Sequence, residues 1–94
     1  MNFNQLLKIK CNEKNNRLCL GLDIDNDSLE NKSLDYMNSY IKDIIVSTVD
    51  VCPVYKINFS FYERHGSKGY EILEKIPEYV NGESILIADA KRGD

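Results

Sequence analysis

The chain has 94 residues, 43% hydrophobic and 29% charged, with a formal net charge of −3: enough apolar content for one domain with a core, and too much for a disordered segment. Its twelve Lys and Arg are scattered among fifteen Asp and Glu without a basic stripe, which argues against nucleic acid or an anionic membrane as partner. No run approaches the ~20 apolar residues of a membrane span, residues 1–5 lack the start of a signal peptide, and three cysteines (Cys11, Cys19, Cys52) without a C-x-x-C pair fit a reduced, cytoplasmic protein.

Phe3, Leu6, Leu7 and the Ile9–Cys11 stretch predict a short amphipathic opening helix, ended by the polar residues Asn12–Asn16. Arg17–Asp23 predicts a strand, with Leu18, Leu20 and Leu22 on one face and Cys19, Gly21 and Asp23 on the other. A large aliphatic face opposite a small, acidic one suits a barrel strand, with helices outside and a site at its end. Asp25-Asn26-Asp27-Ser28 is turn chemistry. Leu34, Met37, Ile41, Ile44, Ile45, Thr48 and Cys52 then recur at helical spacing, with Asp35 in the first turn and Pro53 after the end.

Val54–Asn58 predicts a second strand that places Val54, Lys56 and Asn58 on one face. A Phe59–His65 connection leads to Gly66 and to Ser67 as a helix N-cap. Tyr70, Leu73, Ile76 and Val80 mark the next helix, kinked or ended near Pro77. After an Asn81-Gly82 turn, Ser84–Ala90 predicts a third strand, with Ile85, Ile87, Asp89 and Lys91 sharing a face. Repeated βα units imply a parallel sheet with right-handed crossovers.

Each strand ends in an ionisable residue on one face: Asp23, then Lys56, then Asp89 with Lys91, and Asp94 follows just beyond. A lone Lys or Asp in a strand is usually a solvated edge charge. Three successive strands ending this way suggest an α/β enzyme, because the active sites of βα barrels lie at the carboxyl ends of the strands. Other features take plainer readings. His65 is a solvated or capping histidine, and Phe59, Phe61 and Tyr62 pack under the second long helix rather than forming a stacking surface. Glu13-Lys14 and Glu74-Lys75 are solvated helix charges, and Arg92-Gly93-Asp94 is too short to carry an adhesion function.

Arg17–Asp25 (RLCLGLDID), Val54–Gly69 (VYKINFSFYERHGSKG) and Ile87–Asp94 (IADAKRGD) resemble the first three strand ends of orotidine 5′-phosphate decarboxylase, in the bacterial branch whose motif reads D-A-K-R-G-D. The resemblance implies that residues 1–94 are the amino-terminal portion, about three strands, of a single α/β (β/α)8 TIM barrel. It implies a homodimer that decarboxylates orotidine 5′-phosphate to UMP in pyrimidine biosynthesis, with no cofactor, no metal and no nucleic-acid or membrane partner. Lys91 would be the proton donor, with Asp89 and Lys56 as the charged array beside it. Asp94 would reach the partner subunit's site, Asp23 would bind ribose hydroxyls, and Asn58 would touch the sugar.

These residue types suit the reaction. Loss of CO2 leaves an electron pair on a ring carbon, and a preorganised ammonium stabilises that charge and then protonates it. Flanking carboxylates favour the charged form of Lys91. Related metal-dependent sugar-phosphate decarboxylases and aldolases share D-x-K-x-x-D but carry an acidic ligand where this chain has Lys56, and a lysine there repels Mg²⁺. A complete barrel takes ~250 residues and keeps its phosphate site near strands seven and eight. The expectation is therefore an incomplete barrel, which alone is inactive and either poorly folded or associating.

Overall fold

The computed structural model describes residues 2–23 and 33–89. Helix α1 (Phe3–Lys14) opens on a capping box, in which Asn2 accepts from the Gln5 N–H and the Gln5 side chain accepts from the Asn2 N–H. It closes on Asn15 in the left-handed region, φ 55°. The polar stretch expected to end the helix thus supplies its last turn and its cap.

Three strands, β1 (Cys19–Gly21), β2 (Val54–Asn58) and β3 (Ile85–Asp89), form a parallel sheet in that order. Strand β1 is shorter than the expected Arg17–Asp23, although the Leu22 N–H still donates to the Lys56 carbonyl at 2.8 Å. Period 2 divides the sheet into two faces. Leu20, Leu22, Tyr55, Ile57 and Leu86 pack into the core under the helices. The opposite, inner face carries Cys19, Gly21, Val54, Lys56, Asn58, Ile85, Ile87 and Asp89.

Helix α2 (Leu34–Thr48) begins at Ser33, whose hydroxyl accepts from the Tyr36 N–H at 3.1 Å, with Asp35 in the first turn as expected. Met37, Ile41 and Ile45 are buried at i, i+4 and i+8. The helix stops short of Cys52, because the Val51 and Cys52 N–H groups both return to the Thr48 carbonyl and tighten the chain into a turn. Cys52 is buried in the connection instead.

The Phe59–His65 connection is not irregular. Phe59–Glu63 forms a single helical turn, α3, capped by Asn58. Helix α4 (Ser67–Val80) follows Gly66, which takes φ 63° and makes no side-chain cap. Ser67 is therefore the first helical residue rather than the cap. Pro77 does not end the helix: it continues to Val80 and closes on Asn81, whose N–H donates to the Pro77 carbonyl at 2.9 Å. Its core face is Gly69, Ile72, Ile76 and Val80, whereas Tyr70, expected on that face, is 42% exposed. A Cβ at Gly69 would lie 1.8 Å from the Tyr62 carbonyl oxygen, so only glycine allows α4 to rest on α3.

Helices α2 and α4 cover the same sheet face and are joined at their rim, where the Tyr79 hydroxyl donates to Asn38 at 2.9 Å and the Lys42 ammonium stands 5.7 Å from the Tyr79 ring centre. Within, Tyr55 is fully buried and shares a 2.6 Å hydrogen bond with Thr48 of α2. Burial raises the Tyr55 pKa above 10.0, with the Thr48 bond acting the other way.

Helix α1 ties itself to the loops that feed the sheet. Lys10 donates to the Gly82 carbonyl at 3.1 Å, and Lys14 donates to the Val49 carbonyl at 2.8 Å while pairing with Glu83 at 3.7 Å. The Lys14 side chain is only 8% exposed. It is a staple at the amino end of β2 and β3, not the solvated charge expected. No described helix is long and apolar enough to cross a membrane.

Candidate active site

In a parallel sheet, residues in register stand side by side on the same face. Gly21 pairs with Lys56, and Lys56 with Ile87; one row further along, Asn58 pairs with Asp89. Lys56, the middle residue of β2, and Asp89, the last residue of β3, thus lie diagonally on the inner face. The Lys56 ammonium stands 3.7 Å from Asp89 Oδ2. The lysine side chain is 49% exposed and the aspartate 23% exposed, so the pair meets open space rather than core.

Asp23 follows β1 and is exposed. By alternation it shares the face of Gly21, and its carboxylate leans back along the strand: a Cβ at Gly21 would sit 3.6 Å from Asp23 Oδ2. The glycine keeps the floor beside that carboxylate low. Three of the expected site residues, Asp23, Lys56 and Asp89, are therefore gathered at one end and on one face of the sheet. Asn58 occupies the same row as Asp89, with its Oδ1 accepting from the Ser60 N–H at 3.2 Å and the Ser60 hydroxyl at 2.9 Å. It caps α3 as well as facing the site. Lys91 and Asp94 lie outside the described residues, as does the Asp25–Ser28 turn.

At the other end, a cavity of about 520 Å³ opens between α1 and the inner sheet face, lined by Phe3, Leu7, Cys11, Cys19, Val54 and Ile87 among others. Lys8 and Arg17 line it beside these side chains, whereas the carboxylates Asp23 and Asp89 are not part of its wall.

Tyr62 stands close to the site through a contact that spacing along the chain does not reveal. Packing under α4 was expected, and the ring is indeed fully buried, but its hydroxyl donates to the Leu22 carbonyl, the residue before Asp23. Burial, and then the nearby Asp23 charge, raise its pKa above the ordinary 10.0. The available signal was a tyrosine in an apolar run, since a buried phenol normally finds a partner. His65 also differs from expectation. Its ring is half-buried, and Nε2 is buried without a hydrogen-bond partner among the described residues.

No family model matches the chain. Over all 94 of its residues it is 40% identical to an orotidine 5′-phosphate decarboxylase of Dehalococcoides mccartyi, covering 34% of that protein. Across 88 residues, 87% of the chain, it is 42% identical to the enzyme of that name from Christiangramia forsetii, covering 32% of it. Among solved structures, the OMP decarboxylase of Leishmania donovani superposes on the whole chain with a TM-score of 0.79 and 30% identity, 35% of that chain being covered. The UMP synthase of the same organism gives 0.80 and 30% identity, with 20% of that chain covered. In sequence and in fold the chain is similar to orotidine 5′-phosphate decarboxylases, and it spans about a third of the length of the curated relatives it matches.

Proposed function

We propose that the full-length protein decarboxylates orotidine 5′-phosphate to UMP, and that residues 1–94 are the amino-terminal portion of its single barrel domain. The observation that carries this reading is the Lys56–Asp89 pair, 3.7 Å apart on the inner face, with Asp89 ending its strand. Departure of CO2 leaves an electron pair on the pyrimidine carbon. Lys91 stabilises that charge and delivers the proton. Lys56 holds the Asp89 carboxylate in a fixed place beside it, so that the charged array is ordered before substrate arrives and does not reorganise during reaction. Asp23, leaning over Gly21, accepts from the ribose hydroxyls, and Asn58 contacts the sugar. Asp94 reaches the site of a second subunit in a homodimer.

The chemistry needs no cofactor. An ammonium already paired with Asp89 competes with a divalent cation for that carboxylate, which favours this reading over a metal-dependent relative. A cytoplasmic setting accords with free thiols at Cys11, Cys19 and Cys52. The test is conversion of orotidine 5′-phosphate by the purified full-length protein in the presence of EDTA. Stoichiometric UMP and CO2 are expected; no conversion, or conversion only after Mg²⁺ is restored, would overturn the reading.

A further inference from the structure

We propose that Tyr62 is a positioning residue for Asp23, its buried hydroxyl fixing the Leu22 carbonyl and with it the peptide from which Asp23 projects onto the inner face. The inference rests on the reading of Asp23 as a ribose-binding residue. Strand β1 is only three residues long, so the ladder that orients its carboxyl end is short. The Leu22 N–H donates to the Lys56 carbonyl at 2.8 Å, and the Leu22 carbonyl accepts from Tyr62. Both polar groups of Leu22, whose side chain is 1% exposed, are thereby held from the β2–α3 unit that also carries Lys56 and Asn58. Asp23 is thus tied in place to the strand bearing the opposite charge.

A phenylalanine would fill the same apolar space, so the hydroxyl serves the Leu22 peptide rather than the burial. Gly69 presses on the Tyr62 carbonyl from α4 and holds α3 in position. The charge of Asp23 adds to burial in keeping the phenol protonated, which a donor must be.

The experiment is a double-mutant cycle in the full-length protein, using Tyr62→Phe and Asp23→Ala, with kcat/KM for orotidine 5′-phosphate as the readout and unfolding midpoints measured alongside. Loss of a hydrogen bond to a charged group predicts a fall of about 10–100-fold for Asp23→Ala. Tyr62→Phe is expected to cost about 5–10-fold, and less than about 2-fold once Asp23 is already alanine, because interacting residues are not additive. A Tyr62→Phe loss that persists undiminished in the Asp23→Ala background would mark a purely structural tyrosine and overturn the inference alone. Full activity in Asp23→Ala would overturn the ribose reading and the inference with it. If Tyr62→Phe does not fold, Tyr62→4-aminophenylalanine, which keeps a weaker donor, replaces it in the same cycle with the same two outcomes.

Discussion

Tyr62 and Lys56 lie within a few residues of each other and have opposite surroundings. The lysine ammonium is half-exposed and pairs with Asp89, whereas the phenol is fully buried and pairs with a backbone carbonyl. The buried phenol has a consequence in alkali. Its folded pKa lies above the ordinary 10.0, so above that pH the unfolded chain releases a proton that the folded chain retains. The associated stability is complete below about pH 10 and is lost as pH rises towards the folded pKa. The urea midpoint of the full-length protein should therefore fall more steeply above pH 10 than that of Tyr62→Phe, and parallel curves would show that the phenol is not held protonated by the fold.

At the scale of elements, α1 depends on Lys14. Its nearly buried ammonium bridges the Val49 carbonyl and Glu83, the loops entering β2 and β3. Lys14→Ala should destabilise the full-length protein by roughly 1–3 kcal/mol, the cost of leaving such partners unpaired, with faster amide exchange in α1 than in α2. Unchanged exchange in α1 would contradict the role of a staple. The long elements were legible because Met37, Ile41 and Ile45, and Leu73, Ile76 and Val80, repeat at helical spacing whatever surrounds them. What escaped reading depended on tertiary contact. The burial of Lys14, the folding of Phe59–Glu63 into a helical turn, and the choice of Gly69 and Ile72 over Tyr70 for the core face are set by neighbours distant in sequence. Pro77 is accommodated because it removes only one donor near the end of α4, and the remaining turn is held by the Asn81 cap. Within the site, alternation placed Lys56 and Asp89 on one face correctly, but the lean of Asp23 over Gly21 and the capping by Asn58 are geometric facts that spacing does not contain.

Taken whole, the described chain is a layered α/β unit with an apolar core on one side of its sheet and charges gathered at the carboxyl end of the other. Neither β1 nor β3 has a second strand partner among the described residues, and the inner face around Lys56 is open. Such edges and such a face belong to a barrel wall, which closure by further strands completes. The chain's span of about a third of its curated relatives agrees with that geometry. The central claim is that the Lys56–Asp89 pair is part of the decarboxylation site. Steady-state kinetics of the full-length protein, with Lys56→Ala and Asp89→Asn beside the wild type, test it most directly. The expected result is a fall in kcat/KM for orotidine 5′-phosphate of about 10²-fold or more in each variant, the usual cost of removing a preorganised charge or donor, with unfolding midpoints close to the wild type. Folded variants that retain wild-type kcat/KM would contradict the account.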